Sequence, residues 1–251
     1  MASTAENIDK PINVITPSEY DVPLFPNPKG VTKAYELLRS ANTASLSTLD
    51  PESGYPLCSL VNIAASFDGS PLLYISNLSL HTRNIIESKK VSLLISPSAR
   101  SDLPRTARIS LVGDAVQVDH VAYNERFKVY NPVYASYPSV GGFFTFKVEI
   151  LGIHFVDGAG GPSSLEIDSI LSRDIEKRVL LRPSAGSAPI KISPISAFSE
   201  IIEANGICPN SVASLMSVDP DGVLLSIAGE PRFLKVDCSH MYAEWNKSAQ
   251  S

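Results

Sequence analysis

The sequence predicts a mainly β protein, an antiparallel barrel followed by a small α+β domain. The first observation behind this is a series of short segments rich in β-branched and apolar residues, at 44–49, 57–65, 72–75, 91–95, 107–118 and 143–155. The second is the turn chemistry between them, "DPESG" from Asp50 and "FDGSP" from Phe67. The third is that few helices are predicted among these strands, which favours a barrel over a doubly wound sheet.

Two helices accompany the strands in this prediction. One is expected over 31–41, where apolar residues recur at helical spacing after Pro28 and Gly30. The other follows the 107–118 strand with Asp119 as its N-cap, and it ends at Asn131-Pro132 because the residue before a proline disfavours helical geometry. These helices interrupt the β pattern without replacing it.

The chain divides into three parts. Residues 1–28 carry five prolines and little periodicity, which is typical of an extended lead-in. Residues 29–160 hold the barrel, and the glycine-rich "DGAGGP" from Asp157 ends it. Residues 161–251 form the small α+β domain, with strands expected at 212–218, 223–227 and 233–236.

Composition and charge exclude several classes of protein. With 44% apolar and 19% charged residues, the 251-residue chain can bury a sizeable core and is not a disordered chain. The net charge of −5 and the lack of a basic run exclude a nucleic-acid-binding surface. Cys58, Cys208 and Cys238 are far apart without a CxxC pair, so we expect free thiols in a reducing compartment and no zinc site.

The first residues and the apolar segments bear on where the protein resides. The start, "MASTAENIDK", has acidic residues and no apolar core, unlike a secretory signal. No uninterrupted apolar stretch approaches the length of a transmembrane helix. We therefore expect a protein of the cytoplasm or of an organelle interior, not secreted and without a membrane partner.

A polar stretch, "SNLSLHTRN" from Ser76 to Asn84, follows directly on the apolar run 71–75. Ser76 or Asn77 fits the N-cap of a short helix that ends near residue 88. Its expected buried stripe consists of Leu78, Ile85 and Ile86, with His81 on the same stripe. Both a structural histidine and a ligand-contacting histidine fit that position.

Three arginines are candidates for an anion site. Arg83 lies in the first turns of the predicted helix, where a cation opposes the helix dipole, so it either pairs with Glu87 or faces an anionic ligand. Arg105 and Arg108 fall at odd and even positions of a strand, so at most one of them faces a barrel interior or a shared cavity.

Catalytic motifs are absent, and no catalytic residue is assigned. The sequence holds no nucleophile elbow, no HExxH pair, no Walker loop and no dinucleotide-binding glycine pattern in its required context. His120, His154 and His240 are each isolated in sequence. The residues alone predict a barrel protein with a possible anion-binding corner.

Three stretches together resemble one family. They are "STLDPESGYPLCSLVNIAASFDGSPLLYISNLSLHTRNI" (47–85), "ARISLVGDA" (107–115) and "FFTFKVEILGIHFVDGAGG" (143–161). They resemble the pyridoxamine-phosphate-oxidase-like split barrels, also called FMN-binding split barrels, in particular the HugZ-type heme-utilisation branch. The last stretch is also similar to the CREG glycoproteins, and "MSVDPDGVLLSIAGEPRFLKV" (216–236) resembles the small α+β domain that follows the barrel in HugZ-type proteins.

The resemblance implies a homodimer of six-stranded split barrels with ligand sites in clefts across the dimer interface. Classical members hold FMN there, and HugZ-type members bind heme and open its ring. For heme, His81 is the first candidate for the metal ligand and His240 the second. Arg83 and one of Arg105 and Arg108 would bind the propionates, with Asn84 as a hydrogen-bond donor.

This chain departs from its relatives in ways that bear on the ligand. Flavin-binding members place a phosphate-gripping arginine and a following lysine where this chain has Cys58-Ser59-Leu60, which disfavours FMN. The acidic-histidine motif that opens the second domain of bacterial HugZ proteins is replaced by "DSILSRDIEKR" (168–178). The histidine-bearing tail of those proteins has no clear counterpart after Trp245.

Three functions therefore compete. The first is a heme-binding, HugZ-like heme-degrading oxygenase. The second is a cofactor-free regulatory protein, in the manner of CREG or of the plant glutamyl-tRNA-reductase-binding relatives. The third is an FMN-dependent oxidoreductase, which the missing arginine and lysine disfavour.

Overall fold

A computed structural model describes residues 28–97, 105–135, 142–158, 162–172, 213–219, 222–227 and 229–235. Helix α1 (Pro28–Ser40) is followed by strands β1 (Thr43–Leu49), β2 (Pro56–Ala65) and β3 (Pro71–Ser76), then by helix α2 (Leu80–Glu87) and strand β4 (Lys90–Ile95). Then come β5 (Ala107–Gln117), α3 (Val121–Tyr130), a 3₁₀ turn (Pro132–Ala135), β6 (Phe143–Asp157), β7 (Pro162–Ser164), β8 (Ala213–Asp219), β9 (Gly222–Ile227) and β10 (Glu230–Lys235).

Six antiparallel strands form a closed barrel, as the sequence predicts. The strand order is β3-β2-β1-β4-β5-β6, and the pairing of β3 with β6 closes the ring. β7 adds to the outside of this ring through β6. Of the expected lead-in over 1–28, only Pro28 is described, as the first residue of α1, and the boundary between 160 and 161 stays a prediction.

The barrel interior follows from the alternation along each strand. In β5 every second residue is buried, from Ala107 through Ile109 and Leu111 to Ala115, and the residues between them face outward. Inward residues of the other strands, such as Leu46, Leu93 and Phe155, fill the centre. Each large side chain buried in this way contributes about 1.5–3 kcal/mol, so the interior is the main source of barrel stability.

A buried polar cluster holds the β2–β3 hairpin. The Asp68 carboxylate accepts from Lys147 Nζ at 2.8 Å and from the Ser70 N–H at 2.8 Å, and it also bonds the Ser66 hydroxyl. Arg39, from the end of α1, donates to the Asp68 carbonyl at 3.2 Å and to Ser172 Oγ at 3.0 Å. The hairpin is therefore fixed to α1, to β6 and to the chain that follows β7.

Helix α3 packs on the outer surface of β2 and β3, and its start differs from the expectation. The N-cap is His120, whose Nδ1 accepts from the Ala122 N–H at 3.2 Å, so the Asp119 prediction is wrong by one residue. Tyr123, Phe127 and Tyr130 form its buried face. This anchors α3 between the barrel and the second sheet.

The second sheet has the order β10-β9-β8 and packs on α1 and α3. The Phe233 ring meets Tyr35 of α1 edge-on at 5.9 Å, and the Phe233 N–H donates to Ser40 Oγ at 2.8 Å. At the other end of the sheet, Arg126 of α3 binds both carboxylate oxygens of Asp219, at 3.0 and 2.7 Å. Among the described residues, no helix is long and apolar enough to span a membrane.

Candidate functional site

Within the described ranges, strand β2 has no partner along part of one side. β1 pairs with it from Pro56 to Asn62, whereas β3 pairs only with Ile63, Ala64 and Ala65. The Ile63 N–H donates to Asn42 O, and because bond directions alternate along an antiparallel strand, the backbone groups of Cys58 and Leu60 point away from β1. No strand in the described part of the chain pairs with them. We call residues 56–62 the open edge of β2.

Aromatic and amide side chains line the end of the open edge. Tyr74 of β3 stacks on Phe143 of β6 with ring centroids 5.0 Å apart, and it meets Tyr134 at 6.0 Å. The Tyr134 hydroxyl donates to Asn62 Oδ1 at 3.2 Å, and Asn62 Nδ2 donates to Asn131 Oδ1 at 3.1 Å. The open edge thus ends at a half-buried aromatic surface held by an amide network.

Helix α2 follows β3 at the same end of the barrel, and its orientation corrects the predicted stripe. Its N-cap is Ser79, and not Ser76 or Asn77. Leu78 is 89% and Ile86 59% exposed, and of the predicted stripe only Ile85 is buried. The buried face is Thr82, Asn84 and Ile85, because Thr82 Oγ1 donates to the Ser76 carbonyl at 2.6 Å and Asn84 Nδ2 donates to Thr48 Oγ1 at 3.0 Å. The Asn84 amide therefore points into the barrel.

His81 is half-buried on α2 beside this inward face. Burial lowers the pKa of its imidazole, which favours the neutral form. No hydrogen bond joins His81 to another described residue. A neutral imidazole with an available nitrogen lone pair has the chemistry of a metal ligand.

Arg83 is exposed on the opposite face of α2. Within the described ranges it forms no ion pair with Glu87, so that alternative for its charge is not realised. The pKa of Asp50 is lowered mainly by hydrogen bonds from Ser53, with a smaller contribution from the Arg83 charge. Arg83 thus lies near the β1–β2 turn, beside the start of the open edge.

Arg105 and Arg108 lie at the opposite end of the barrel. Thr48, which binds α2, pairs with Val91, and Val91 pairs with Gly113, whereas Arg108 is five positions back along β5 (113 − 108) and pairs with Val156. Arg108 faces outward from β5, and Arg105 precedes that strand and is exposed, so neither faces the interior. Within one protomer, the fold does not bring them to Arg83.

His240, the second candidate metal ligand, lies outside the described residues. In the described ranges, no three histidine, cysteine, aspartate or glutamate side chains are grouped to hold a metal ion.

Sequence reasoning missed the features that define this site. The open edge arises because β3 leaves β2 after Ile63 and pairs with β6 instead, and no local pattern signals that exchange. The Asn62, Asn131 and Tyr134 network joins residues 72 positions apart (134 − 62). The one available signal was Asn62, a polar residue in an otherwise apolar strand.

The barrel is similar to a known family of proteins. A profile described as pyridoxamine 5′-phosphate oxidase matches residues 31–157, half of the chain and nearly the whole barrel. The chain belongs to this family. Membership in the pyridoxamine 5′-phosphate oxidase family agrees with the closed six-stranded barrel and confirms the resemblance found in the sequence.

One curated relative of similar sequence is the non-canonical heme oxygenase HOZ, chloroplastic, of Arabidopsis thaliana. It is 35% identical over 127 residues, which cover 49% of this chain and 38% of that protein. The chain therefore spans well under half of the length of this relative.

Solved structures of similar fold include two that cover nearly all of the chain. The protein Atu2129 from Agrobacterium tumefaciens is 24% identical, with a TM-score of 0.70, over 92% of this chain and 97% of its own. A heme binding protein from Mycobacterium smegmatis is 21% identical, with a TM-score of 0.53, over 88% of this chain and 96% of its own. Both likenesses concern the fold.

Proposed function

We propose that this protein binds heme beside the open edge of β2 and α2, and that it acts as a HugZ-like heme-degrading oxygenase. The observation that carries this is the 35% identity over 127 residues to a protein named as a heme oxygenase. The family profile matches residues 31–157, and these carry the open edge, His81 and Arg83. The relative's activity is transferred here as a hypothesis for the barrel.

The side chains at this end of the barrel fit heme in their chemistry. His81 supplies a neutral, half-buried imidazole for the iron. Arg83 supplies an exposed guanidinium for a propionate, and the half-buried aromatic rings of Tyr74 and Phe143 supply an apolar surface for the macrocycle. When bound, heme iron would supply the oxygen chemistry, while this chain binds and orients the ring and shields it from water.

The same end of the barrel fits FMN less well. A flavin phosphate is held by cations, and between Pro56 and Ala65 β2 carries no arginine or lysine. Family membership still keeps FMN as the alternative cofactor. A cofactor-free regulatory role is the other alternative, and the experiment below separates all three.

We also propose that the functional unit is a homodimer with the site at its interface. The outer face of β1, β2 and β4 presents Leu60 at 80% and Leu94 at 43% exposure beside the small residues Ser45 and Ser47. Exposed leucines beside small side chains on one sheet face are typical of an interface. If Arg105 or Arg108 binds the ligand held by Arg83, it has to come from the partner subunit, because the two ends of one barrel are apart.

Hemin titration of the purified full chain, followed in the visible spectrum, tests the proposal. Heme binding predicts a saturable Soret shift, and bound flavin would show its own spectrum without any addition. His81→Ala should move the Soret maximum, whereas His154→Ala, a change to an outward-facing histidine of β6, should not. No saturable shift would refute heme binding. If the Soret maximum does not move in His81→Ala, His81 is not the iron ligand, and His240 becomes the candidate. Removal of residues 237–251 then tests His240.

A further inference from the structure

One arginine joins the second sheet, β8 to β10, to the barrel. The Arg126 side chain is 3% and the Asp219 side chain 10% exposed, and the two form a bidentate ion pair. Arg126 also donates from Nε to the Ala65 carbonyl of β2 at 3.0 Å and from its guanidinium to Ser217 Oγ at 2.9 Å. A single side chain of α3 therefore contacts both sheets.

The other end of α3 reaches the open edge of β2. Asn131, the C-cap of α3, donates from Nδ2 to the Ile63 carbonyl at 2.9 Å and accepts from Asn62 Nδ2 at 3.1 Å. Tyr134, in the 3₁₀ turn that follows, donates to Asn62 Oδ1. The last turns of α3 thus hold the amide network at the end of the open edge.

The segment between these two contacts is short and packed. Arg126 and Asn131 are five residues apart (131 − 126), about 7.5 Å along a helix. Phe127 and Tyr130 lie between them and are buried, and Phe127 contacts Tyr74 with ring centroids 5.5 Å apart. Because packed helical turns move as a unit, a shift of Arg126 displaces Asn131 and Tyr134 with it.

We propose that the second sheet sets the geometry of the ligand site at the open edge of β2. Arg126 is the positioning residue that transmits the position of this sheet through α3. The Asp219 carboxylate fixes the guanidinium, α3 carries that position to Asn131 and Tyr134, and these hold Asn62 and Tyr74. The identity of the ligand rests on the proposed function, but the coupling itself does not.

Hydrogen exchange in the ligand-free full chain tests the coupling. Asp219→Asn keeps the size of the side chain and removes its charge. It should speed exchange of the Asn131 and Tyr134 amides, which bond within the last turns of α3 and the turn after it, at least about fivefold, the lower end of typical couplings between sites. Exchange in β1 and β4 should stay as in the wild type. Asp157→Asn is the matched control, because it removes the carboxylate of an ion pair with Lys33 that does not involve α3.

Two outcomes would overturn the coupling. One is faster exchange over the whole barrel, which marks a merely structural role, and the other is unchanged exchange at the Asn131 and Tyr134 amides. Should Asp219→Asn fail to fold, Ser217→Ala removes one acceptor of Arg126 and must give the same pattern at smaller amplitude. Asp219→Glu, which restores the charge, should return exchange toward the wild-type rate.

Hemin affinity separates this inference from the proposed function. If the coupling and the proposed function both hold, Asp219→Asn raises the Kd for hemin at least about fivefold and Asp157→Asn leaves it unchanged. The localised exchange pattern in a protein that binds no hemin would refute the proposed function and keep the coupling. Hemin binding together with uniform or unchanged exchange would refute the coupling and keep the proposed function.

Discussion

Arg83 is the cation that the proposed function assigns to a heme propionate, and it is exposed on α2. It is exposed, it makes no pair with Glu87 in the described part of the chain, and it only lowers the pKa of Asp50 after the stronger effect of Ser53. The exposed Arg83 guanidinium is accessible to an anionic group.

Arg83→Gln should therefore weaken hemin binding. Loss of one charge-assisted hydrogen bond costs about 1–3 kcal/mol, or roughly a 5- to 150-fold higher Kd. Arg232→Gln, which neutralises an exposed cation on β10, should leave the Kd for hemin within error. Equal affinity of wild type and Arg83→Gln in the titration would remove Arg83 from the site.

Asp68 is a second residue whose charge matters, in this case for stability. Burial raises the pKa of its carboxyl, but the Lys147 charge and the hydrogen bonds from Lys147, Ser66 and Ser70 outweigh it, so the net pKa is lowered. A folded-state pKa below the unfolded value means that the unfolded chain binds the proton more readily, so stability falls on acidification.

The contribution of Asp68 should be fully present above about pH 4, the unfolded pKa of an aspartate, and should disappear as the pH falls through its lower folded value. Denaturant unfolding at a series of pH values measures this. Asp68→Asn should be less stable than wild type at pH 7, and the difference should shrink below about pH 4. A difference that does not change with pH would show that the Asp68 charge is not the source.

At the scale of elements, the β2–β3 hairpin depends on a glycine, because the neighbouring side chains leave no space for a larger residue at that position. Gly69 has a φ of +95°, and an added Cβ would lie 2.6 Å from Arg39 Nη1. Gly54, in the β1–β2 turn, has a φ of +71° but open space around it.

Substitution of Gly54 and of Gly69 by alanine separates the cost of backbone strain from the cost of steric contact. Gly54→Ala should cost about 1–2 kcal/mol, the penalty of the left-handed conformation alone. Gly69→Ala should cost more, because it must also displace the buried Arg39. Urea unfolding measures both free energies, and equal losses would contradict the steric part.

Helix α3 begins with an unusual cap, a histidine in place of an aspartate. His120→Ala should destabilise the protein by about 1 kcal/mol, because the Ala122 N–H loses its acceptor. His120→Asn keeps an acceptor at the same position and should lose less. Thermal unfolding compares the two, and a loss as large in His120→Asn as in His120→Ala would argue that ring packing on Tyr123 outweighs the cap.

These elements show what the sequence predicts well. Most strands lie within two residues of their predicted bounds, because alternation and turn residues are local signals. β10 begins three residues before its predicted start, and β7 was not predicted. The caps of α2 and α3 were displaced by one to three residues, because several polar residues precede each helix and only the folded geometry selects one. Arg105 precedes the paired strand, which begins at Ala107, and Arg108 faces outward, so the expectation that at most one of them faces the interior agrees with the fold, while their role toward a ligand stays a prediction. The open edge depends on strands far apart in the chain, which no local pattern encodes.

For the whole molecule, the exposed face of β1, β2 and β4 decides the proposed oligomeric state. Leu60→Glu should convert the expected homodimer into a monomer, since it places a charge in an apolar interface. Val121→Glu, a change at an exposed residue of α3, should leave the dimer intact. Light scattering after size exclusion measures the mass, and a wild-type monomer at micromolar concentration would refute the dimer.

Closure of the barrel by β3 and β6 also has a consequence for synthesis of the chain. Leu72 pairs with Lys147, 75 positions later (147 − 72), whereas the β1–β2 and β2–β3 hairpins are complete by Ser76. At about 5–20 residues per second, a ribosome exposes those hairpins for several seconds before β6 emerges. During that interval the uncharged edges of β2 and β3 both lack partners, and long-range pairing is slow. Cooler expression and chaperone supply should therefore raise the soluble yield more than changes that stabilise the finished barrel.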